Sequence, residues 1–153
     1  MSIAYRVQDY IAEHDVPWDP VSHDASQSSM ETARLAHVPP DRLAKAVVLE
    51  DDDGYVLAVI GAHRRLNVTE FADTLARDLR LASERVLRTL FSDCLPGAVP
   101  AVGEAYGIPT MWAEELGEQP DVYFEGGDHR TLVHMRGVDF GELMRSARPL
   151  QRP

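Results

Sequence analysis

The chain has 153 residues, a net charge of −10 at neutral pH, 44% hydrophobic and 26% charged residues. That size and balance fit one globular domain over residues 1–153 and exclude broad, non-specific binding of DNA or other nucleic acid. No apolar run nears the ~20 residues of a bilayer span, Met1 to Arg6 lacks a secretory pattern and Cys94 is the only cysteine, so a cytoplasmic protein with no membrane partner is expected.

From the start of the chain, Val7, Tyr10 and Ile11 recur at helical spacing between Tyr5 and His14. Pro17 and Pro20 then force Val16 to Val21 into an extended or turning path. The stretch Ser28-Ser29-Met30-Glu31 offers a cap for a short helix running to Ala36, and Pro39-Pro40 marks a turn. Ala44–Glu50 and Tyr55–Gly61 flank Asp51-Asp52-Asp53-Gly54 and predict a β-hairpin. Asn67 opens a helix expected to reach about Asp78, with Phe71, Leu75 and Leu79 on one face. Ser83 caps another, over residues 84–91, turning Val86, Leu87 and Leu90 inward. Residues 121–125 and 131–135 bracket Gly126-Gly127-Asp128 as a second hairpin, and a helix over Asp139–Ser146 closes the chain. Paired hairpins interleaved with short helices indicate an α+β fold with a largely antiparallel sheet.

Charge is spread unevenly. Residues 1–60 carry 11 acids and 4 bases, residues 61–90 carry 4 and 6, and residues 91–153 carry 10 and 5. Only the middle segment, with Arg64, Arg65, Arg77, Arg80, Arg85 and Arg88, has a basic excess, which fits either a polyanion contact or ordinary solvated helix faces.

Several machineries are missing. The chain has no G-x-S-x-G elbow, no phosphate-binding G-x-x-x-x-G-K-[ST] loop, no G-x-G-x-x-G and no H-E-x-x-H. Its six histidines show no ligand spacing, so neither a metal nor another cofactor is expected. Cys94, following a helix, fits a small core filler better than a nucleophile.

Lys45 stands out as the only lysine beside 14 arginines, and it sits inside the apolar run Leu43 to Leu49. An ammonium is a compact point charge on a thin stem, suited to meeting one phosphate or hydroxyl. Embedded among apolar residues it costs free energy unless something pairs with it, although a strand lysine can also snorkel to water. Pro96 to Gly103 is a segment of small side chains whose backbone N–H groups a ligand could approach, or a plain surface turn. His129, after two glycines and an acid, is placed either for hydrogen bonding at a site or as a solvated turn residue. His23-Asp24 fits the chemistry of helix entry.

Taken in order, His23 to Ser29, Val38 to Val48, Pro96 to Gly103 and Val122 to Val133 resemble the YbaK/prolyl-tRNA-synthetase-associated domain family over nearly the whole chain. The resemblance implies a curved, largely antiparallel mixed sheet with flanking short helices. It also implies hydrolysis, without a metal, of the ester joining a wrong amino acid to the 3′ end of an aminoacyl-tRNA. Alanyl- and cysteinyl-tRNA(Pro) are the leading substrates by that analogy, and an aminoacyl-tRNA synthetase is a further partner the resemblance leaves open. In this family the lysine matched by Lys45 contacts the terminal adenosine, and the glycine matched by Gly97 begins a loop against the aminoacyl group. That loop brings Ala98, Val99, Pro100 and Ala101 to the substrate. The position matched by Gly127-Asp128-His129 shapes the amino-acid pocket, with His23 at the entry, and Arg64 and Arg65 are the candidate tRNA contacts. The chain departs from the family pattern at Ala101, where a second proline is usual, and at Ala46, where Thr, Ser or Asn is usual. A module of the same fold that binds without hydrolysing is therefore the second reading.

Overall fold

Alternating apolar residues build the centre of the fold from two strands, β2 (Leu43–Asp51) and β3 (Gly54–Gly61), paired antiparallel from Ala44 opposite Gly61 to Asp51 opposite Gly54. The computed structural model describes residues 3–150. Met1, Ser2 and residues 151–153, which belong to the expected single domain and, for the first two, to the N-terminal pattern, lie outside the described residues. Asp51 closes the hairpin turn by accepting the N–H groups of Asp53 and Gly54, and Arg77 adds a two-point bond at 2.7 and 2.8 Å. The Arg77 guanidinium, helped by those N–H groups, holds the Asp51 carboxyl down at about 2.

Six shorter strands complete an open, largely antiparallel sheet of eight: β1 (Asp19–Ser22), β4 (Arg80–Leu81), β5 (Thr110–Trp112), β6 (Asp121–Glu125), β7 (Thr131–Arg136) and β8 (Arg148–Pro149). Their order is β1-β7-β6-β2-β3-β5-β8, with β4 also on β2. The two expected hairpins are the antiparallel pairs β2–β3 and β6–β7, and β1–β7 and β2–β4 are antiparallel as well. Three pairings, β2–β6, β3–β5 and β5–β8, are parallel, which makes the α+β sheet mixed.

Helices cover both faces: α1 (Tyr5–Glu13), α2 (Ser29–Ala36), α3 (Val68–Leu75), α4 (Glu84–Leu90) and α5 (Gly137–Leu143). Ser28, Asn67 and Ser83 cap α2, α3 and α4, each side-chain oxygen accepting the N–H three residues on. Val7 and Ile11 of α1 and Phe140 and Leu143 of α5 pack with Val48, Leu57 and Val59. On the opposite face, Phe71 and Ala72 of α3 pack with Leu49, Val56 and Ala58, while Ala33 of α2 meets Leu43 and Leu132.

Two helix boundaries differ from expectation. Ala76 adopts a left-handed conformation (φ 53°) and ends α3 at Leu75, so Leu79 is buried from the approach to β4 rather than from a helical face. Helix α5 runs from Gly137 to Leu143; at its start Arg136 turns onto Asp139 at 2.9 Å, and Gly137 lies so close to the Gln119 carbonyl that a Cβ there would overlap it.

Candidate active site

Strand β2 divides one edge between two partners. Strand β6 pairs with it at Leu43 and Ala44, and β4 at Leu49 and Glu50, leaving the edge from Lys45 to Val47 without a strand neighbour. Val48 gives its carbonyl on that side to the Ala82 N–H. By strand alternation the N–H and C=O of Ala46 face the same gap. The gap opens a crevice of about 160 Å³, walled by Lys45 and Ala46, by Ser26 to Ser29 and Thr32 at the start of α2, by Gly97 and Val99, and by Glu125 and His129.

Each wall is fixed locally. Lys45 shares its strand face with Leu43, Val47 and Leu49, so its stem leaves the sheet on the face that α2 and α3 cover. Among the described residues no carboxylate or hydrogen-bond acceptor meets its ammonium. Burial pushes that ammonium below the usual lysine value, and the like charge of Arg65 adds to the shift.

The opposite wall is a loop tied to a hairpin tip. Gly97 needs its glycine because its φ is +81°, whereas a Cβ there would make only ordinary contact with His129 Cε1 at 3.7 Å. His129 Nε2–H donates to the Pro96 carbonyl at 2.6 Å, and Leu95 N–H donates to the Gly127 carbonyl at 2.8 Å. The first bond fixes the His129 tautomer, since a carbonyl can only accept. Ala98 spends its N–H on Leu95, while the N–H groups of Gly97 and Val99 have no hydrogen-bond partner among the described residues. The hairpin tip itself is held by Asp128, whose carboxylate accepts from Arg130 N–H and the Thr131 hydroxyl. Ser26 N–H donates to the His129 carbonyl, which attaches the start of α2 to the same tip.

Glu125, which the sequence reading did not single out, enters the crevice from the end of β6. Its Oε2 accepts the Gly127 N–H at 2.8 Å, and its Oε1 stands 4.0 Å from His129 Nδ1. Burial raises the Glu125 carboxyl above its ordinary value, against the pull of that N–H and of His129. The signal was present in the sequence as an acid in a strand whose neighbours Val122 and Phe124 are buried. Strand alternation alone left open which face of the tip it would take.

The other residues singled out by sequence lie elsewhere. Ala98, Pro100 and Ala101 are buried in the interior, so Ala101 faces the core instead of the crevice. Gly127 is buried against Cys94 and Ala4 and supports the tip from below. Burial pushes the Cys94 thiol up to about 12, far from a nucleophile. His23 donates through Nδ1 to the Asp24 carbonyl at 2.6 Å, and its charge bears on Glu125, which makes it a neighbour of that acid and not a wall of the crevice. Arg64 and Arg65 line a larger cleft of about 570 Å³ beside α3, together with Phe71, Met111 and Glu115. Arg64 pairs there with Glu115 at 3.5 Å, while Arg65 has no ion-pair partner among the described residues. No helix of the described residues is long and apolar enough to cross a membrane.

The family model for the aminoacyl-tRNA editing domain matches residues 23–143. Solved structures share the fold. One, described as "a putative trans-editing enzyme for prolyl tRNA synthetase", has a TM-score of 0.81 at 23% identity, covering 97% of this chain and 94% of that one. A structure from computational grafting of epitopes onto scaffold proteins has a TM-score of 0.79 at 22% identity, with 97% and 94% covered. Another, described as a "putative signal transduction protein" from Marinobacter aquaeolei VT8, has a TM-score of 0.76 at 22% identity and covers 98% of this chain but 30% of that one. No curated protein matches the chain.

Proposed function

The chain belongs to the aminoacyl-tRNA editing domain family, and from that membership we propose that it is a trans-editing hydrolase that deacylates a mischarged aminoacyl-tRNA. The observation that carries this reading is Lys45, an ammonium without a counter-ion among the described residues, across a small crevice from a glycine-started loop with two N–H groups unspent among those residues. Lys45, on which the like charge of Arg65 bears, gives this end of the crevice a cationic character, which suits the phosphate and ribose of a tRNA 3′ end. The crevice is small, about 160 Å³. That size favours alanyl over bulkier acyl groups, in line with an Ala-tRNA(Pro)-like substrate.

The chemistry asks little of the protein. An aminoacyl ester is already activated, so holding it beside an ordered water and donors for the developing oxyanion suffices. The water oxygen bonds to the acyl carbon and the bond from that carbon to the ribose oxygen breaks. The water's proton passes to the departing ribose oxygen, with the vicinal ribose hydroxyl as relay. The Gly97 and Val99 N–H groups are the donors available to the carbonyl oxygen. His129 acts as a positioning residue, since its Nε2–H is spent on the Pro96 carbonyl and so holds the loop. A cytoplasmic setting, a bound synthetase and a single domain over residues 1–153 all fit this activity.

The test is a panel of non-cognate aminoacyl-tRNAs incubated with the purified protein. Release of at least one amino acid is expected, with alanine from tRNA(Pro) first. Binding across the panel with no release would replace the hydrolase with the non-catalytic module.

A further inference from the structure

The crevice carries opposite charges on different walls: Lys45 from β2 and Glu125 from β6, not in ion-pair contact with one another. In a pocket that holds an ester and a water, a carboxylate repels both the phosphate and the developing oxyanion, so its favourable partners are a proton of the water or a cationic group of the substrate. Glu125 is nevertheless held firmly. Its Oε2 is fixed by the Gly127 N–H at 2.8 Å, at a glycine with φ +127° whose Cβ position is crowded by Cys94 Sγ at 3.2 Å and Ala4 Cβ at 3.3 Å. Its Oε1 has no hydrogen-bond partner among the described residues: the ring nitrogen facing it, His129 Nδ1, lies at 4.0 Å, beyond hydrogen-bonding length. The remaining groups that bear on it are His23 and the like charge of Asp128.

An aminoacyl-tRNA differs from most esters in bearing a positive α-ammonium one carbon from the scissile carbonyl. On the reading that the substrate is such an ester, we infer that Glu125 Oε1 receives the α-ammonium and so orients the acyl group, with its amino end toward β6 and its ribose end toward Lys45. The pocket's two charges then match the two charged ends of the substrate. A free carboxylate oxygen facing an ammonium forms a charge-assisted hydrogen bond, and in a small, partly dry crevice that bond fixes direction as well as affinity. It also gives a chemical filter: acyl groups lacking the amine, or carrying it as an amide, lose the contact.

The experiment compares two esters on one tRNA: the alanyl ester, and its lactyl counterpart with hydroxyl in place of ammonium. The wild-type protein is expected to prefer the alanyl ester in kcat/KM by 10-fold or more beyond the ratio of the two esters' uncatalysed hydrolysis rates. Glu125→Gln keeps an oxygen for the Gly127 N–H but loses the charge, and the preference should collapse toward that uncatalysed ratio. A wild-type preference no greater than the uncatalysed ratio would overturn the assignment whatever the variant does, so misfolding of the variant does not shelter it. A variant slowed equally on both esters, with the ratio preserved, would reduce Glu125 to a structural part and overturn it too. Hydrolysis of neither ester by the wild type overturns the editing reading and the assignment together.

Discussion

Replacing Lys45 with methionine keeps the stem's length and removes only the ammonium, so it separates what the charge does for substrate from what it does for the fold. A hydrogen bond to a charged group contributes ~1.5–3 kcal/mol. At ~1.4 kcal/mol per tenfold, its loss should lower kcat/KM for the preferred aminoacyl-tRNA by roughly 10- to 150-fold. The fold should respond in the opposite sense. The ammonium is partly desolvated, meets the like charge of Arg65 and has no counter-ion among the described residues, so its removal should leave the melting temperature unchanged or raise it. Because its folded pKa lies below 10.5, the unfolded chain binds the proton more readily. Wild-type stability therefore rises with pH in the window just under 10.5, and Lys45→Met should flatten that rise. Lys45→Arg should also be impaired, since a planar fork does not fit a point-charge site. The assays are single-turnover deacylation and thermal melts across pH. Undiminished hydrolysis by Lys45→Met would refute the site, and a clear drop in its melting temperature would refute the electrostatic reasoning.

Three further outcomes follow from the same geometry. Gly97→Ala forces an L side chain to φ +81° and should destabilise by ~1–2 kcal/mol, lowering the melting temperature by a few degrees and slowing deacylation, with little steric contribution from His129. His134 bridges Asp19 at 2.9 Å and Asp121 at 2.8 Å; burial lowers its pKa, but those two carboxylates outweigh it and the net shift is upward. That stabilisation is complete below 6.5 and lost as pH rises through the raised folded value, so melting temperature should fall across this window in the wild type and much less in His134→Gln. Arg65→Gln should weaken tRNA binding and reduce the salt slope by roughly 0.7, while Arg64→Gln should do so less, because Arg64 already pairs with Glu115; equal slopes for both variants and wild type would remove this segment from the interface.

Family membership and the observed editing-domain fold agree with the resemblance read from the motifs, while the amino acid and tRNA rest on the proposed assays. Several elements were legible because their causes are local. Ser28, Asn67 and Ser83 cap from one turn away, and the two hairpins are set by period-two apolar runs around polar Asp and Gly tips. Lys45 was conspicuous because an isolated ammonium in an apolar strand breaks a local rule.

Sequence by itself determined the elements whose stabilising partners lie within about a dozen residues, together with the identity of one misfit charge. Only the tertiary structure decided the rest. Strands β4, β5 and β8 run two or three residues, too short for any periodicity, and exist because longer strands offer them an edge. The parallel contact of β2 with β6 joins Leu43 to Tyr123 across the chain, and its early end at Ala44 creates the crevice. That same closure turned Ala98 and Ala101 inward and brought Glu125 into one crevice with Lys45, because which residues share a cavity depends on how strands separate in space, a non-local choice that no short window of residues contains.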